Sequence, residues 1–349
     1  RSAVQIRPPQ PINHPMNDKV NSNNSKIFLN FLYFSFSIIP IAFLIGNFAI
    51  NLISILISCV FLIGLISGKI QFEFRDNVFY LLIFIFISLL INLYFSNNFY
   101  LTLPRVMKFI IIIFFVLSFR HLVNSIEENQ INNLYKIWFV ILVVVILDLI
   151  IEFFLGHNSI GQSSIIPGRL GGFTGKEMII GHFFSAFVLF GLSYVYKNYK
   201  INLFNIFLAL LFILISFLIG ERANFIKTFI IVFLFIFFIY DFKLKHKLLF
   251  FSFVFLILAL ILNFNSHYKT RYIEQLTNVF EKNGIQIYLK NSNYGAHYKV
   301  AKEIFKNNPF FGVGIKNFRV ESFSDQYNIN HKYNERRGNT HPHQVHYEF

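Results

Sequence analysis

Residues 201–240 read INLFNIFLALLFILISFLIGERANFIKTFIIVFLFIFFIY. Two apolar runs flank the short polar turn Gly220-Glu-Arg-Ala-Asn224. Each run approaches the length of about 20 residues with which a helix crosses the hydrocarbon core of a bilayer. The pattern therefore predicts a helical hairpin in a membrane, with the charged side chains of its turn at the membrane surface.

The same pattern recurs along the chain, which has 349 residues, 55% of them hydrophobic and only 14% charged. Such a balance is typical of a polytopic membrane protein rather than of a soluble domain. The predicted fold class is all-α, a transmembrane helical bundle with a large, partly helical outer loop. We predict about nine spans, at 27–46, 48–67, 78–95, 103–118, 134–155, 180–196, 201–219, 224–240 and 247–264.

The charge and cysteine content say less about function. The net charge of +14 suits anionic lipid or phosphate partners, but abundant Lys, Asn, Ile and Phe also fit an AT-rich coding sequence. Cys59 is the only cysteine, so no internal disulfide and no cysteine-based metal site is expected.

Basic residues in the short loops indicate the orientation, because cytoplasmic loops are enriched in Lys and Arg. With the N-terminus inside, the inner side holds Lys19, Lys26, Lys69, Arg75, Arg120, Lys136, Lys197, Lys200, Lys243, Lys245 and Lys247. Up to residue 264, the outer side holds Arg105, Lys108, Arg169, Lys176, Arg222 and Lys227. The bias predicts a cytoplasmic N-terminus.

Three regions follow from this topology. Residues 1–26 are predicted to be a disordered cytoplasmic segment, of which 1–15 look foreign to the native chain. Residues 27–264 form the transmembrane region, and 265–349 form a periplasmic loop with helices expected near 270–282 and 294–306. Because no apolar span follows, we expect the chain to be truncated before its last helices.

Outer arginines need a reason, because positive charge is biased against that face. Arg169 lies in Pro167-Gly-Arg-Leu-Gly-Gly-Phe173, where glycines let backbone N–H groups approach an anion, and Arg222 lies in the hairpin turn. One guanidinium group binds two phosphate oxygens at once, so Arg169 and Arg222 on the same face predict a diphosphate site. Binding of lipid head groups is the alternative.

Histidines and carboxylates complete the candidate chemistry. His341, His343 and His346 lie beside Arg336 and Arg337, and a neutral imidazole suits a general base. A metal site or a solvated loop is the alternative, and their spacing lacks the i,i+4 pair of a helical zinc motif.

The carboxylates leave several roles open. The chain has no DxD pair, so we expect no metal and no other cofactor. Asp148 and Glu152 either orient Arg169, contact a sugar or end a helix at the interface. Glu177 and Glu221 flank the two arginine motifs.

Together the motifs resemble the O-antigen ligase and polymerase superfamily of bacterial surface-polysaccharide assembly. The resemblance covers about 160–349. It rests on Arg169-Leu-Gly-Gly-Phe173 with Glu177 downstream, Gly220-Glu-Arg222, Asn308-Pro-Phe-Phe-Gly-Val-Gly314 and Thr340-His-Pro-His-Gln-Val-His-Tyr-Glu348. His343-Gln344 departs from the usual His-Asn pair of that family in its second residue.

The resemblance implies a fold like the integral-membrane GT-C glycosyltransferases and a metal-independent transfer. In that family's terms Arg169 and Arg222 match the residues that bind the carrier diphosphate, and His343 matches the base that activates the acceptor hydroxyl. Possible supporting residues are His341, Arg336, Arg337, Glu177 and Glu221.

The predicted function is therefore a ligase-type glycosyltransferase of the bacterial inner membrane. Its expected partners are an undecaprenyl-diphosphate-linked glycan, an acceptor saccharide or lipid A–core, and the lipid bilayer, but no nucleic acid. A polymerase that joins repeat units is the nearest alternative, and a lipid-linked sugar transporter or flippase is the alternative from another class. A fragment that lacks the last helices need not be active.

Overall fold

A computed structural model of the chain describes residues 23–71, 77–199, 203–274, 277 and 289–338. This part of the chain is helical and contains no β-strand, which confirms the predicted all-α class. The helices are α1 (Asn23–Ser37), α2 (Ile39–Ile45), α3 (Asn47–Ile66), α4 (Asn77–Tyr94), α5 (Phe99–Ser125), α6 (Glu128–Leu155), α7 (Ile180–Tyr199), α8 (Leu203–Leu218), α9 (Arg222–Leu234), α10 (Leu244–Phe264), α11 (Ser266–Lys269), α12 (Asn293–Asn307) and α13 (Phe318–Glu321).

Six helices in the described residues are long and apolar enough to cross a membrane: α3, α4, α5, α6, α9 with its extension to Ile239, and α10. The bent pair α1 and α2 makes a seventh if it is one span. Large apolar side chains such as Phe48, Phe84 and Phe238 are exposed on the surface of the bundle, where lipid would cover them. The chain is thus a multi-pass membrane protein.

The predicted span 27–46 is broken, because α1 and α2 meet at an angle of 45°. Pro40 lies in the first turn of α2 and has no N–H to donate, so the carbonyl of Phe36 loses its helical partner. The indole N–H of Trp138 on α6 donates to that carbonyl at 3.0 Å. The carbonyl group freed by the bend is therefore satisfied by a neighbouring helix. In a bilayer every backbone polar group needs such a partner.

Helix α7 lies at the centre of the bundle. Ten of its residues are buried, including Phe183, Phe184 and Gly191, and it packs against α6, α8 and α9. A Cβ at Gly191 would lie 3.1 Å from a methyl carbon of Leu142 and 3.2 Å from the ring of Phe212, so glycine lets α7 approach its neighbours closely. This packing fixes the ends of α7 and α9, which carry the candidate site.

Every second connection between the helices lies at the same end of the bundle. We call this end, which includes Gly46, Gly168 and His267, the loop face. A Cβ at Gly46, between α2 and α3, would lie 3.9 Å from the carboxylate of Glu177 after α6. A Cβ at Gly168 would lie 3.1 Å from the carbonyl of His267 after α10. The start of α5 joins the start of α3 through a bond of 2.8 Å from Lys108 to Asn51. At the opposite face, Lys197 of α7 pairs with Glu128 of α6.

Residues 289–338 form a small unit with its own core on the loop face. Ala296, Val300 and Ile304 of α12 pack in this core with Phe318 and Tyr327. The predicted helix 294–306 is present and runs from Asn293 to Asn307. Of the predicted helix 270–282, the structure describes a π-helical turn at Thr270–Glu274 and little beyond it.

The loop at 311–317 attaches this unit to the connection between α4 and α5. The amide N–H of Asn97 donates to Val313, and the side chain of Asn92 donates to Phe311. The rings of Phe95 and Phe311 stack with centroids 4.0 Å apart. The unit is therefore held at the same end of the bundle as the arginine motifs.

Candidate functional site

The glycine loop that carries Arg169 is held by a carboxylate of the protein itself. Glu152, buried at the end of α6, accepts from the N–H groups of Gly171 and Gly172 at 2.7–3.0 Å. These glycine N–H groups do bind an anion, as their composition predicts, but the anion is Glu152 rather than a phosphate. Glu152 positions the loop and not Arg169 itself.

Two further buried side chains shape the same loop. Asp148 accepts from the amide N–H of Ser159 at 2.8 Å and from its hydroxyl at 2.5 Å. The side chain of Asn158 donates to the carbonyl of Gly172 and accepts from two backbone N–H groups within 158–162. The segment between α6 and α7 is thus built on polar contacts with the end of α6, and neither carboxylate is the bare end of a helix at the interface.

The loop then meets the hairpin turn between α8 and α9. The N–H of Leu170 donates to the carbonyl of Ile219 at 3.2 Å. Gly220 has a φ of 75°, and a Cβ there would lie 2.0 Å from the carbonyl oxygen of Gly168. Only glycine fits at this contact, which brings the two predicted arginine motifs together.

Arg169 is paired within the protein. Its guanidinium makes an ion pair with Glu221 and donates to the carbonyl of Met178 at 3.1 Å. Met178 is a non-glycine residue with a φ of 50°, a sparsely populated conformation that aims its carbonyl at the guanidinium. The second carboxylate oxygen of Glu221 accepts from the side chain of Asn224. Glu221 thus joins the loop to the first turn of α9.

A third arginine, Arg271, completes the group. Its Nε donates to the carbonyl of Gly220. Burial lowers the pKa of Arg271, and the positive charges of Arg169 and Arg222 lower it further. We refer to Arg169, Arg222 and Arg271 as the arginine group. Arg271 was not among the predicted site residues, because basic residues of the two sides were compared only up to residue 264 and the later ones were considered only beside the histidine run.

Aromatic side chains bring Arg271 to this position. The hydroxyls of Tyr268 and Tyr272 donate to the last carbonyls of α8, those of Leu218 and Phe217, at 2.8 and 2.9 Å. The ring of Tyr272 also stacks on Phe217 with centroids 4.2 Å apart. In the sequence, two tyrosines four residues apart with an arginine between them were the pattern that could have indicated the position of Arg271.

The arginine group carries excess positive charge. Three arginines against the single carboxylate of Glu221 leave a balance of two positive charges (3 − 1). Within the described residues, no hydrogen bond or ion pair engages the guanidinium of Arg222. Such an arrangement suits a ligand with two or more negative charges, because guanidinium groups bind phosphate oxygens in pairs.

A histidine that was not predicted lies beside the arginine group. Nδ1 of His182, in the first turn of α7, is 3.2 Å from the side-chain oxygen of Asn224. Because the amide nitrogen of Asn224 faces Glu221, its oxygen faces His182, and Nδ1 must donate. In the neutral ring, Nε2 then has a free lone pair. His182 is therefore a second candidate base. In the sequence, only its position near the start of a predicted span could have indicated this role.

The remaining predicted residues are not brought to the arginine group by any contact in the described residues. Glu177 is exposed near Gly46, and Arg336 is exposed at the end of the small outer unit. Arg337 is buried and donates to the carbonyls of Asn334, Phe323 and Ser324, so its role there is structural. His341, His343 and His346 lie outside the described residues.

A second basic cluster lies on the loop face, where the loop at 311–317 crosses the start of α5. The hydroxyl of Thr102 donates to Ile315, which places Lys316 beside Arg105. Burial and the neighbouring positive charges lower the pKa of Lys316. The loop face therefore carries two clusters of positive charge within the described residues.

The fold and the arginine group define a class: a polytopic helical membrane protein with a cluster of arginines at one end of its helical bundle. Residues 206–349 match the family model described as O-antigen ligase, which confirms the superfamily predicted from the motifs for this part of the chain. The matched stretch includes Arg222, Arg271 and the histidine run, while Arg169 precedes it. The match supports a function of the O-antigen ligase or polymerase type, in which enzymes handle lipid-linked glycans in a bilayer.

Comparisons with curated proteins and with solved structures gave no significant match.

Proposed function

We propose that the protein is a ligase-type glycosyltransferase that moves a glycan from undecaprenyl diphosphate to an acceptor sugar hydroxyl, that of lipid A–core. The observation that carries the proposal is the arginine group, in which two excess positive charges gather at one end of a membrane bundle. A carrier lipid would leave its chain in the bilayer and present its diphosphate at this level. The loop face is then the periplasmic face of the inner membrane, and the N-terminus is cytoplasmic.

The reaction needs little chemistry beyond charge neutralisation. The acceptor oxygen forms a bond to the anomeric carbon, the bond from that carbon to the diphosphate oxygen breaks, and the diphosphate leaves with the electron pair. Fixed cations at a developing anion typically lower a barrier by about 3–4 kcal/mol for each donor. Arg222 and Arg271 are the proposed contacts to the leaving group, and Arg169 with Glu221 holds the frame around them.

The acceptor hydroxyl must lose its proton to a base. His343 is proposed for this role from the family motif, and a positioned base contributes on the order of 10²–10⁴-fold in rate. His182 is the alternative, because it lies two hydrogen bonds from Glu221 and presents Nε2. In either case the imidazole takes the proton as the new glycosidic bond forms.

The experiment is transfer of a labelled glycan from its carrier diphosphate to lipid A–core in proteoliposomes. Arg222→Ala should reduce the transfer rate by at least about 10²-fold, while membrane insertion and thermal stability stay unchanged. Lys245→Ala, an exposed basic residue at the opposite face, is the matched control and should transfer normally. Normal transfer by Arg222→Ala would refute the diphosphate site.

The acceptor separates the ligase from the polymerase. With a second carrier-linked repeat unit in place of lipid A–core, the ligase proposal predicts no product. Extension of the repeat unit on its carrier would instead identify a polymerase. Movement of the lipid-linked glycan across the bilayer without any bond formation would identify a transporter.

Metal independence belongs to the same proposal, because fixed arginines replace a divalent ion at the leaving group. Treatment with EDTA should leave the transfer rate unchanged in the same proteoliposomes. A strong loss that Mg²⁺ or Zn²⁺ restores would contradict this prediction and would favour the metal hypothesis for the run at 341–346.

A further inference from the structure

The small outer unit contains a cavity of about 910 Å³, and its described lining includes no residue of the arginine group. One wall is a single face of α12, formed by Gly295, Tyr298, Lys299 and Lys302 at spacings of three and four residues. The facing wall is formed by 289–291 and 330–332. Its volume lies in the range of about 300–1,000 Å³ that is typical of small-ligand sites.

The cavity follows from the way in which α12 packs. Ala296, Val300, Ala301 and Ile304 pack in the core of the unit. Lys299 and Lys302 are exposed on the other side of the helix, and Tyr298 is half-buried there. A Cβ at Gly295 would lie 1.5 Å from the carbonyl oxygen of Leu289, so the chain crosses α12 where the helix has no side chain.

Two hydrogen bonds hold the walls in place. Nε2 of His331 donates to the carbonyl of Leu289 at 2.8 Å, and Nζ of Lys299 donates to the carbonyl of Asn330 at 2.7 Å. The walls are therefore defined by packing and by hydrogen bonds rather than by loosely placed side chains.

The lining is strongly basic. Lys290, Lys302 and Lys332 join Lys299, and no carboxylate is among the described residues that line the cavity. Within the described part of the chain, none of these lysines has an ion-pair partner. Lysine ammonium groups bind phosphate or carboxylate oxygens, and the ring of Tyr298 offers a flat surface for a sugar.

We propose that this cavity binds an acidic sugar residue, one that bears a phosphate or a carboxylate. That the sugar belongs to a glycan handled in the transfer reaction rests on the proposed function. Four cations around a space much larger than one phosphate ion fit a charged sugar within an oligosaccharide. The acidic group comes from either the donor glycan or the acceptor, and kinetics can separate these two sources.

The first test measures binding to the full chain in nanodiscs, without any transfer. The probe is a hexasaccharide of alternating glucuronate and N-acetylglucosamine, and its counterpart has the carboxyl groups reduced to alcohols. The variant Lys302→Gln/Lys332→Gln should raise the Kd of the acidic probe by about tenfold or more, since one hydrogen bond to a charged group is worth about that factor.

Lys306→Gln is the matched control, because Lys306 lies on the same helix, pairs with Glu303 and does not line the cavity. It should bind the acidic probe like the unmodified protein, and the reduced probe should bind weakly to all variants. Equal binding of both probes, or an equal loss in the control, would overturn the site.

The second test identifies the source and separates this inference from the proposed function. Arg222→Ala should retain binding of the acidic probe even where transfer is lost. In transfer assays, the double lysine variant should raise the KM of whichever substrate carries the acidic sugar and leave the other KM unchanged. If the first test shows that the cavity binds the acidic probe, but the double lysine variant changes neither KM, the cavity does not serve the transferred glycan.

Discussion

At the scale of single residues, a buried carboxylate sets the position of the glycine loop that carries Arg169. Glu152 accepts from Gly171 and Gly172, and these bonds hold the loop against the turn at Gly220. The sequence indicated that the glycine N–H groups would meet an anion and that Glu152 lay nearby. It did not connect the two, because the partners lie 19 and 20 residues apart in the sequence, with the irregular segment after α6 between them.

Glu152→Gln tests this support. The change keeps the shape of the side chain but removes the charge that two N–H groups share, so unfolding should become easier by about 1.5–3 kcal/mol. Thermal unfolding in detergent measures the loss. Glu177→Gln, an exposed change in the same loop, should leave the melting temperature unchanged. Equal melting of both variants would contradict the role of Glu152.

The two candidate bases can also be separated at this scale. If His343 is the base, His343→Ala should lower kcat by about 10²–10⁴-fold, while His182→Ala should keep most of the activity. The reverse result would assign the base to His182 and its contact with Asn224.

At the scale of elements, the apolar runs predicted where helices lie but not how they end or bend. The run at 103–118 extends to Phe99–Ser125, since the amphipathic ends add turns that hydropathy alone does not reveal. The bend at α1 and α2 needed Pro40 and a partner from α6. Arg271 was not predicted because its position depends on hydrogen bonds from Tyr268 and Tyr272 to α8. These bonds join residues some 50 positions apart in the sequence.

The bend gives a testable coupling between Pro40 and Trp138. Trp138→Phe should destabilise the protein by about 1–3 kcal/mol beyond its packing cost, because the carbonyl of Phe36 loses its donor. In a Pro40→Ala background the helix can supply that donor, so the same change should cost less. A double-mutant cycle of unfolding free energies measures the difference, and strict additivity would contradict this account.

At the scale of the whole molecule, the loop face gathers the arginine group, the second basic cluster and the lysine-lined cavity at one end of the bundle. Because successive spans cross the membrane in opposite directions, the sequence predicted that these loops share one face. The close contacts of Gly46, Gly168 and Gly220 join the loops to one another. The run at 341–346 stays a prediction, because it lies outside the described residues.

The orientation of the faces can be measured by labelling. In a Cys59→Ser background, Lys176→Cys should react with a membrane-impermeant maleimide in cells with a permeabilised outer membrane. Lys245→Cys, which is equally exposed at the opposite face, should react only after the inner membrane is opened. If Lys245→Cys reacts while the inner membrane is intact and Lys176→Cys does not, the predicted orientation is wrong.

The most direct measurement of the central claim is the affinity of the purified protein for undecaprenyl diphosphate in nanodiscs, compared with undecaprenol. The account predicts that the diphosphate binds far more tightly, that Arg222→Ala and Arg271→Ala each weaken it by about tenfold or more, and that Lys245→Ala does not. Equal affinity for the diphosphate and the alcohol, or full affinity in both arginine variants, would contradict it.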